Sequence, residues 1–253
     1  MKLQKAIITF SFDDGHPNDL RLAKLLKKYS LKATFYIPIR NSENPVMNPS
    51  QIRRLYSMGF EVGSHGLTHR RLTLMSFEEA RGEVFSSKTK LEKILGAGIE
   101  SYCFAGGKYH RQHLPLIAEA GYHYSRTTRL LRQYQPLEKN LMHTTMQYYP
   151  LSTLGYVKHL LRRPDRHGWL LFLQSIQRCG INASPDTLAN YFISKAIQDK
   201  ACFHMHGHSY EFQSENDWKV LEKLFDYSKA QRNCEFLNNS QAFRKLTDGG
   251  GVA

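Results

Sequence analysis

Cysteine is scarce and scattered: Cys103, Cys179, Cys202 and Cys234 are the four cysteines in 253 residues, with no C-x-x-C pair among them. That spacing argues against a thiolate zinc site and against a disulfide framework, and the four thiols read as small buried hydrophobes. Long apolar runs are missing too. No segment approaches the roughly 18 consecutive apolar residues that a membrane span needs. The N-terminus, Met1-Lys2-Leu3-Gln4-Lys5, leads into the first strand with neither an apolar h-region nor a small-residue cleavage site, so a cytoplasmic location is expected. Acidic residues are in deficit: 22 Asp and Glu face 35 Lys and Arg, a formal charge of +13. This favours an anionic partner such as an acidic glycan, a phosphate-bearing carrier, a membrane surface touched peripherally, or nucleic acid. Without a zinc finger, a ribonucleoprotein strand motif or a basic zipper, specific nucleic-acid binding is not expected. The densest basic run, Lys158 to His167, reads first as a solvated helix end.

What is present is an ordinary globular composition, 41% hydrophobic and 23% charged, long enough for one substantial core. No repeat or linker divides the chain. A single domain over residues 1–253 is expected, with a glycine-rich flexible tail at 248–253. The stretch Ala6-Ile7-Ile8-Thr9-Phe10-Ser11-Phe12 reads as a buried strand that ends in Asp13-Asp14-Gly15. Taken alone, Asp-Asp-Gly is a turn that stops a strand.

Strand and helix patterns then alternate. A helix starting near Pro17–Asp19 carries Leu20, Leu22, Leu25 and Leu26 at helical spacing, and Lys32–Ile37 is strand-like. Residues 49–59 read as a helix ended by Gly59, Phe60–Ser64 as a strand, and Ser76-Phe77-Glu78-Glu79 as a capping box opening a helix to about Leu95. A strand at Ile99–Ala105, a helix at Arg111–Ala120 and a strand at Tyr122–Thr128 follow. The pattern predicts a strand around Leu141–Met146 and helices around Leu151–Leu161, Trp169–Cys179 and Asp186–Lys200. It closes with a strand at Ala201–Met205, a helix at Asn216–Ala230, a strand at Cys234–Leu237 and a helix around Ser240–Leu246. Such alternation implies a mainly parallel sheet with right-handed crossovers. Polar clusters recur at successive strand ends, which fits barrel-like closure better than an open sheet.

Asp14, His65 and His69 supply one carboxylate and two imidazoles, the donor inventory of a catalytic zinc or similar divalent site with a position left for water. His65 and His69, four apart, would share a face of one helical turn. His204, His206 and His208 alternate and would project to one face if their strand extends that far.

These residues occur in segments that resemble the polysaccharide deacetylases of the NodB homology type, the family 4 carbohydrate esterases. Thr9-Phe10-Ser11-Phe12-Asp13-Asp14-Gly15 is similar to the first motif of that family and Gly63-Ser64-His65-Gly66-Leu67-Thr68-His69 to the second. Gly207-His208-Ser209-Tyr210-Glu211 is similar to the last motif of one subgroup. The resemblance, spanning about Lys5 to Phe243, implies an α/β fold, a distorted (β/α)7 barrel. It implies that Asp14, His65 and His69 hold a divalent metal, zinc foremost, with cobalt, nickel or manganese as alternatives. Asp13 is then the general base and His208 the general acid, made cationic by a neighbouring carboxylate such as Glu211. A backbone N–H at Gly106 or Gly107 would meet the oxyanion.

Three departures separate the chain from the family pattern. The third motif reads Tyr102-Cys103-Phe104-Ala105-Gly106-Gly107-Lys108 and lacks its usual Arg. Arg126, at the end of a later strand, either replaces that Arg or makes a routine surface ion pair. The fourth motif is not recognisable, and Gly66 stands where Ser or Thr normally follows the first metal histidine. The function implied is metal-dependent removal of acetyl groups from N-acetylated sugars in cell-surface polysaccharide synthesis. A cytoplasmic enzyme would meet a carrier-linked, anionic precursor, for example of lipopolysaccharide O-antigen. Two other readings stand beside it: an amidohydrolase on linear or cyclic non-sugar amides, and a catalytically silent glycan-binding protein on the same fold.

Overall fold

The computed structural model describes residues 3–133, 140–148, 153–162 and 165–248. Within them nine strands form one sheet: β1 (Ala6–Asp13), β2 (Thr34–Ile37), β3 (Glu61–Ser64), β4 (Ser101–Cys103), β5 (Tyr124–Arg126), β6 (Leu141–Met142), β7 (Met146–Gln147), β8 (Cys202–Gly207) and β9 (Cys234–Phe236). The helices are α1 (Asp19–Lys28), α2 (Pro49–Ser57), α3 (Phe77–Leu95), α4 (His113–Glu119), α5 (Thr153–Arg162), α6 (Arg166–Cys179), α7 (Pro185–Asp199), α8 (Glu215–Ala230) and α9 (Asn239–Asp248). Strand order is β6-β5-β4-β3-β2-β1-β8-β7, with β9 added beside β1, and every pairing is parallel. A parallel sheet with alternating helices that curls toward closure is the distorted barrel expected from the sequence.

Local chemistry explains the helix ends. Ser76 accepts from the Glu79 amide while Glu79 reaches back to the Ser76 amide, and Gly96 closes α3 in the left-handed region at φ 66°. Asn48 and Gln51 cap α2 in the same reciprocal way.

Central β1 is buried along its whole length. Its first half pairs with β9 and its last three residues with β2, while β8 runs along its other side. Side chains alternate with period two. Ile8, Phe10, Phe12, Phe35, Ile37, Val62, Phe203 and Met205 join the main apolar core beneath the helices. Thr9, Ser11, Asp13, Thr34, Tyr36, Ser101, Arg126, His204 and His206 are also buried, yet polar, and they fill the barrel. Thr9 donates to Asn239 at 2.6 Å, Asn239 donates to Tyr36 at 3.1 Å, and Ser11 lies 2.8 Å from His204 Nε2. α9 stops the lower end with Ala242, Phe243 and Leu246 against Ile7 and Tyr124.

Several boundaries differ from the sequence reading. The single strand expected at Leu141–Met146 is two short ones, β6 on one edge of the sheet and β7 on the other. Three residues carry the chain from edge to edge: the Thr144 amide bonds the Arg129 carbonyl and the Thr145 amide bonds His204. The strand expected at Ile99–Ala105 stops at Cys103 because Ala105–Gly107 folds into a 3₁₀ turn. β8 runs two residues past the expected Met205, which carries His206 within the strand. Of the expected tail, residues 249–253 lie outside the described residues, as do the first two residues of the helix expected at Leu151.

Candidate functional site

The C-terminal strand ends meet at a cavity of ≈ 550 Å³ lined by Asp13, Asp14, His65, His69, Gly106, His206 and His208 among others. Parallel folds collect chemistry at this end. β1 leaves the ladder at Asp13, and the chain reverses through Asp14 (φ 75°) and Gly15 (φ 62°). A Cβ on Gly15 would sit 2.7 Å from Ile37 Cγ2, so only glycine passes there. The second motif turns just as sharply: His69 lies at φ 60°, and Glu83 on α3 accepts from the Thr68 amide at 2.6 Å and from its hydroxyl at 3.0 Å. Asp14 and His69 thus both hold a left-handed conformation that non-glycine residues adopt uncommonly, the kind of local strain found at functional sites.

Asp14 Oδ1 is 3.3 Å from His65 Nε2 and 3.0 Å from His69 Nε2. His65 Nδ1 lies 2.9 Å from the Cys103 carbonyl. A carbonyl can only accept, so Nδ1 carries a proton and Nε2 is the ring atom turned toward the carboxylate. Nε2 and a carboxylate oxygen at that distance share positive charge, either a proton or a cation. One donor atom from each of Asp14, His65 and His69 falls within 4.8 Å of the others, and the set suits zinc and other divalent ions. Burial opposes the charge on Asp14, but hydrogen bonding to His65 and His69 outweighs it and holds the carboxyl far below its usual range. Asp13, His65 and Cys103 form a second grouping of this kind. There burial pushes the Cys103 thiol well up, so it stays protonated and is a weak donor 4.0 Å from Asp13 Oδ2, not a thiolate ligand.

Asp13 points into the barrel. Arg126 Nη2 donates to Asp13 Oδ1, and its guanidinium lies 5.0 Å from the centre of the Tyr36 ring. Of the two alternatives the sequence left for Arg126, the surface ion pair falls, because the side chain is 0% exposed. Burial raises the Asp13 carboxyl, but Arg126, and after it His65 and His208, bring it down to about 2.

The three alternating histidines separate electrostatically. Burial drives His204 down to about 3 and His206 well below its ordinary value, with Arg126 adding to both, so both are neutral. His204 is occupied by Ser11 and the His143 carbonyl. His208 lies past the strand end with Nδ1 3.2 Å from Glu211. Burial would lower it, but the hydrogen bond to Glu211 and the nearby Asp13 raise it to about 9, which makes it the cation among the three. Glu211 also accepts from the His208 amide at 3.3 Å.

The two glycines diverge. The Gly107 amide already donates to the Phe104 carbonyl at 2.8 Å, which corrects its expected availability to an oxyanion. A Cβ there would strike Thr128 Oγ1 at 1.9 Å, so Gly107 serves packing. Gly106 lines the cavity at φ 60°.

Residues 1–125 match the family described as polysaccharide deacetylase. Through these residues, just under half of its length, the chain is similar to the polysaccharide deacetylases. A peptidoglycan-N-acetylglucosamine deacetylase of Bacillus cereus is 27% identical over 94 residues, 36% of this chain and 33% of that protein, so the match spans about a third of each. Two solved structures share the fold. A candidate polysaccharide deacetylase from Mycobacterium smegmatis has a TM-score of 0.70 at 15% identity, over 96% of this chain and 91% of that one. A family 4 carbohydrate esterase from Bacillus anthracis has a TM-score of 0.58 at 16% identity, over 98% and 87%.

Sequence reasoning missed three residues at and beneath this site. Glu83 had a signal: it lies on the buried stripe of α3 with Ala80, Val84, Ser87 and Leu91, an unusual place for a carboxylate. Cys103 was read only as a hydrophobe. Asp19, 0% exposed at the start of α1, faces Ser209, and burial holds its carboxyl well above the usual range.

Proposed function

We propose that the chain is a single catalytic domain that hydrolyses the acetamide of an N-acetylated sugar with the help of a divalent metal held by Asp14, His65 and His69. The observation that carries this reading is the division of labour between two adjacent carboxylates, Asp14 turned toward two histidines and Asp13 toward Arg126. When bound, a divalent cation, zinc foremost, supplies Lewis acidity that polarises an amide carbonyl and acidifies water.

Asp13 accepts the proton of the attacking water. With its pKa near 2 it is ionised across the working pH range, and the buried pair with Arg126 fixes its direction. His208, protonated up to about pH 9, donates to the departing nitrogen. The new bond joins water oxygen to the acetyl carbon, the C–N bond breaks, and acetate and a free amino sugar leave. The Gly106 amide, on the cavity wall, is the backbone donor left for the developing oxyanion.

The amidohydrolase reading rested on the missing third-motif Arg, and Arg126 removes that support by reaching Asp13 from β5. The silent reading needs a broken ligand set, and the unbroken grouping of Asp14, His65 and His69 speaks against it. The basic surface favours a carrier-linked anionic precursor in cell-surface polysaccharide synthesis, such as an O-antigen intermediate, over a neutral glycan.

Purified protein loaded with zinc, cobalt, nickel or manganese should release acetate from N-acetylated oligosaccharides. Asp13→Asn should lower kcat/KM by about 10²–10⁴-fold with the far-UV spectrum unchanged. Full turnover in that variant would overturn the mechanism.

A further inference from the structure

We propose that the exposed face of α5 and α6 docks the protein on an anionic lipid surface. Among the described residues seven large apolar side chains are exposed, and four of them, Leu161, Leu170, Leu173 and Ile181, fall within one short stretch of chain. Leu170 and Leu173 lie one turn apart on α6, opposite the face that buries Gly168, Leu171, Phe172 and Ser175. Both are more than half exposed, at 54% and 58%. On α5, which packs against α6, Leu161 is exposed with Lys158 and Arg162, at positions that share one helix face.

The charge around these leucines has one sign. Neither helix contains an Asp or Glu, in a chain that has 22 of them. Arg166 and Arg178 are exposed at the two ends of α6. Asp165, between the helices, is spent on the Gly168 amide at 2.7 Å and on Arg132 at 3.2 Å. Helices that face water elsewhere carry both signs in pairs, as in Arg21–Glu215 and Lys28–Glu222 between α1 and α8. On α5 and α6 leucines stand among cations with no acidic residue on either helix, which is unfavourable in water. At a headgroup boundary it is favourable: leucines enter the acyl edge and Lys and Arg meet lipid phosphates. A second copy is disfavoured as occupant, since two such faces present like charges to each other. Among the described residues no helix is long and apolar enough to cross a membrane, so the contact lies in the plane of the surface.

Vesicle flotation tests this without reference to catalysis. Full-length protein should float with vesicles of phosphatidylcholine and phosphatidylglycerol, stay behind with phosphatidylcholine alone, and be released between about 0.1 and about 0.5 M salt. The double variant Leu170→Ser, Leu173→Ser and, separately, Arg166→Gln with Arg178→Gln should each weaken binding by about tenfold, with thermal midpoints unchanged. Three outcomes would overturn the proposal: no flotation with anionic vesicles, flotation of the leucine variant equal to the parent, or a dimer in light scattering that the leucine variant abolishes.

Discussion

The two faces of the sheet are built from the same strands and obey opposite rules. Outside, Phe10, Phe12, Phe35 and Phe203 pack against one another and beneath the helices, with Phe10 5.5 Å from Phe225 and Phe12 5.8 Å from Phe35. Inside, one residue further along each strand, lie Thr9, Ser11, Tyr36 and His204, linked by hydrogen bonds through Asn239, and Asp13, which accepts from Arg126. The outer face stabilises the fold through area and close packing. The inner face stabilises only where every polar group finds a partner, and in return it can hold ionised groups in fixed directions. A single strand such as β1 therefore serves both as core and as the support of the site.

Substitutions on either side sharpen this contrast. The largest effect on folding is expected outside: Phe10→Ala, fully buried among aromatic rings, should lower unfolding free energy by about 3–5 kcal/mol. Denaturant titration measures this, and metal affinity of the folded protein should not change. The next effect is inside. His208 owes its raised pKa to Glu211 acting against burial. A histidine with a raised pKa is protonated at low pH and loses its proton as pH rises through the raised value. The activity profile should therefore fall above about 9 in the parent. In Glu211→Gln that alkaline limb should move toward or below the ordinary 6.5, costing about tenfold or more at pH 8 relative to pH 6. A limb that stays in place would remove His208 from its assigned role.

The smallest expected effect concerns Asp19, an acid at the buried start of α1 with its carboxyl pKa raised by burial. Its charged form is penalised in the folded state only. Stability is thus lost as pH climbs above the ordinary carboxylate value of 3.8 toward the raised one. Asp19→Asn keeps the shape without the charge and should gain about 1 kcal/mol at pH 8, seen as a higher thermal midpoint there and little difference at pH 4.

The outer face was legible in the sequence, because β-branched and aromatic runs announce buried strands and leucine spacing announces the helices over them. The Asp14, His65 and His69 trio was legible because Asp14 and His65 each follow directly on a recognisable strand and His69 comes four residues after His65. The partnership of Arg126 with Asp13 was not, since β5 and β1 are four places apart in the sheet and meet only across the interior of a curled barrel. The choice among His204, His206 and His208 was likewise closed to periodicity, which places them alike. Burial and Glu211 separate them. The commitment of the Gly107 amide depends on the three-residue 3₁₀ turn Ala105–Gly107, below what spacing can resolve.

The crossing at residues 143–145 has a consequence for how this ring can be opened. Among the described residues β6 and β7 do not pair with each other, so at this seam the circle is completed by the crossing chain and its few backbone bonds, to Arg129, Leu131 and Arg132 on one side and to His204 on the other. New termini placed in the helix-connecting loops would leave the ring fastened, whereas a break at the seam would leave its two edges joined only through these few bonds, the weakest closure in the circle.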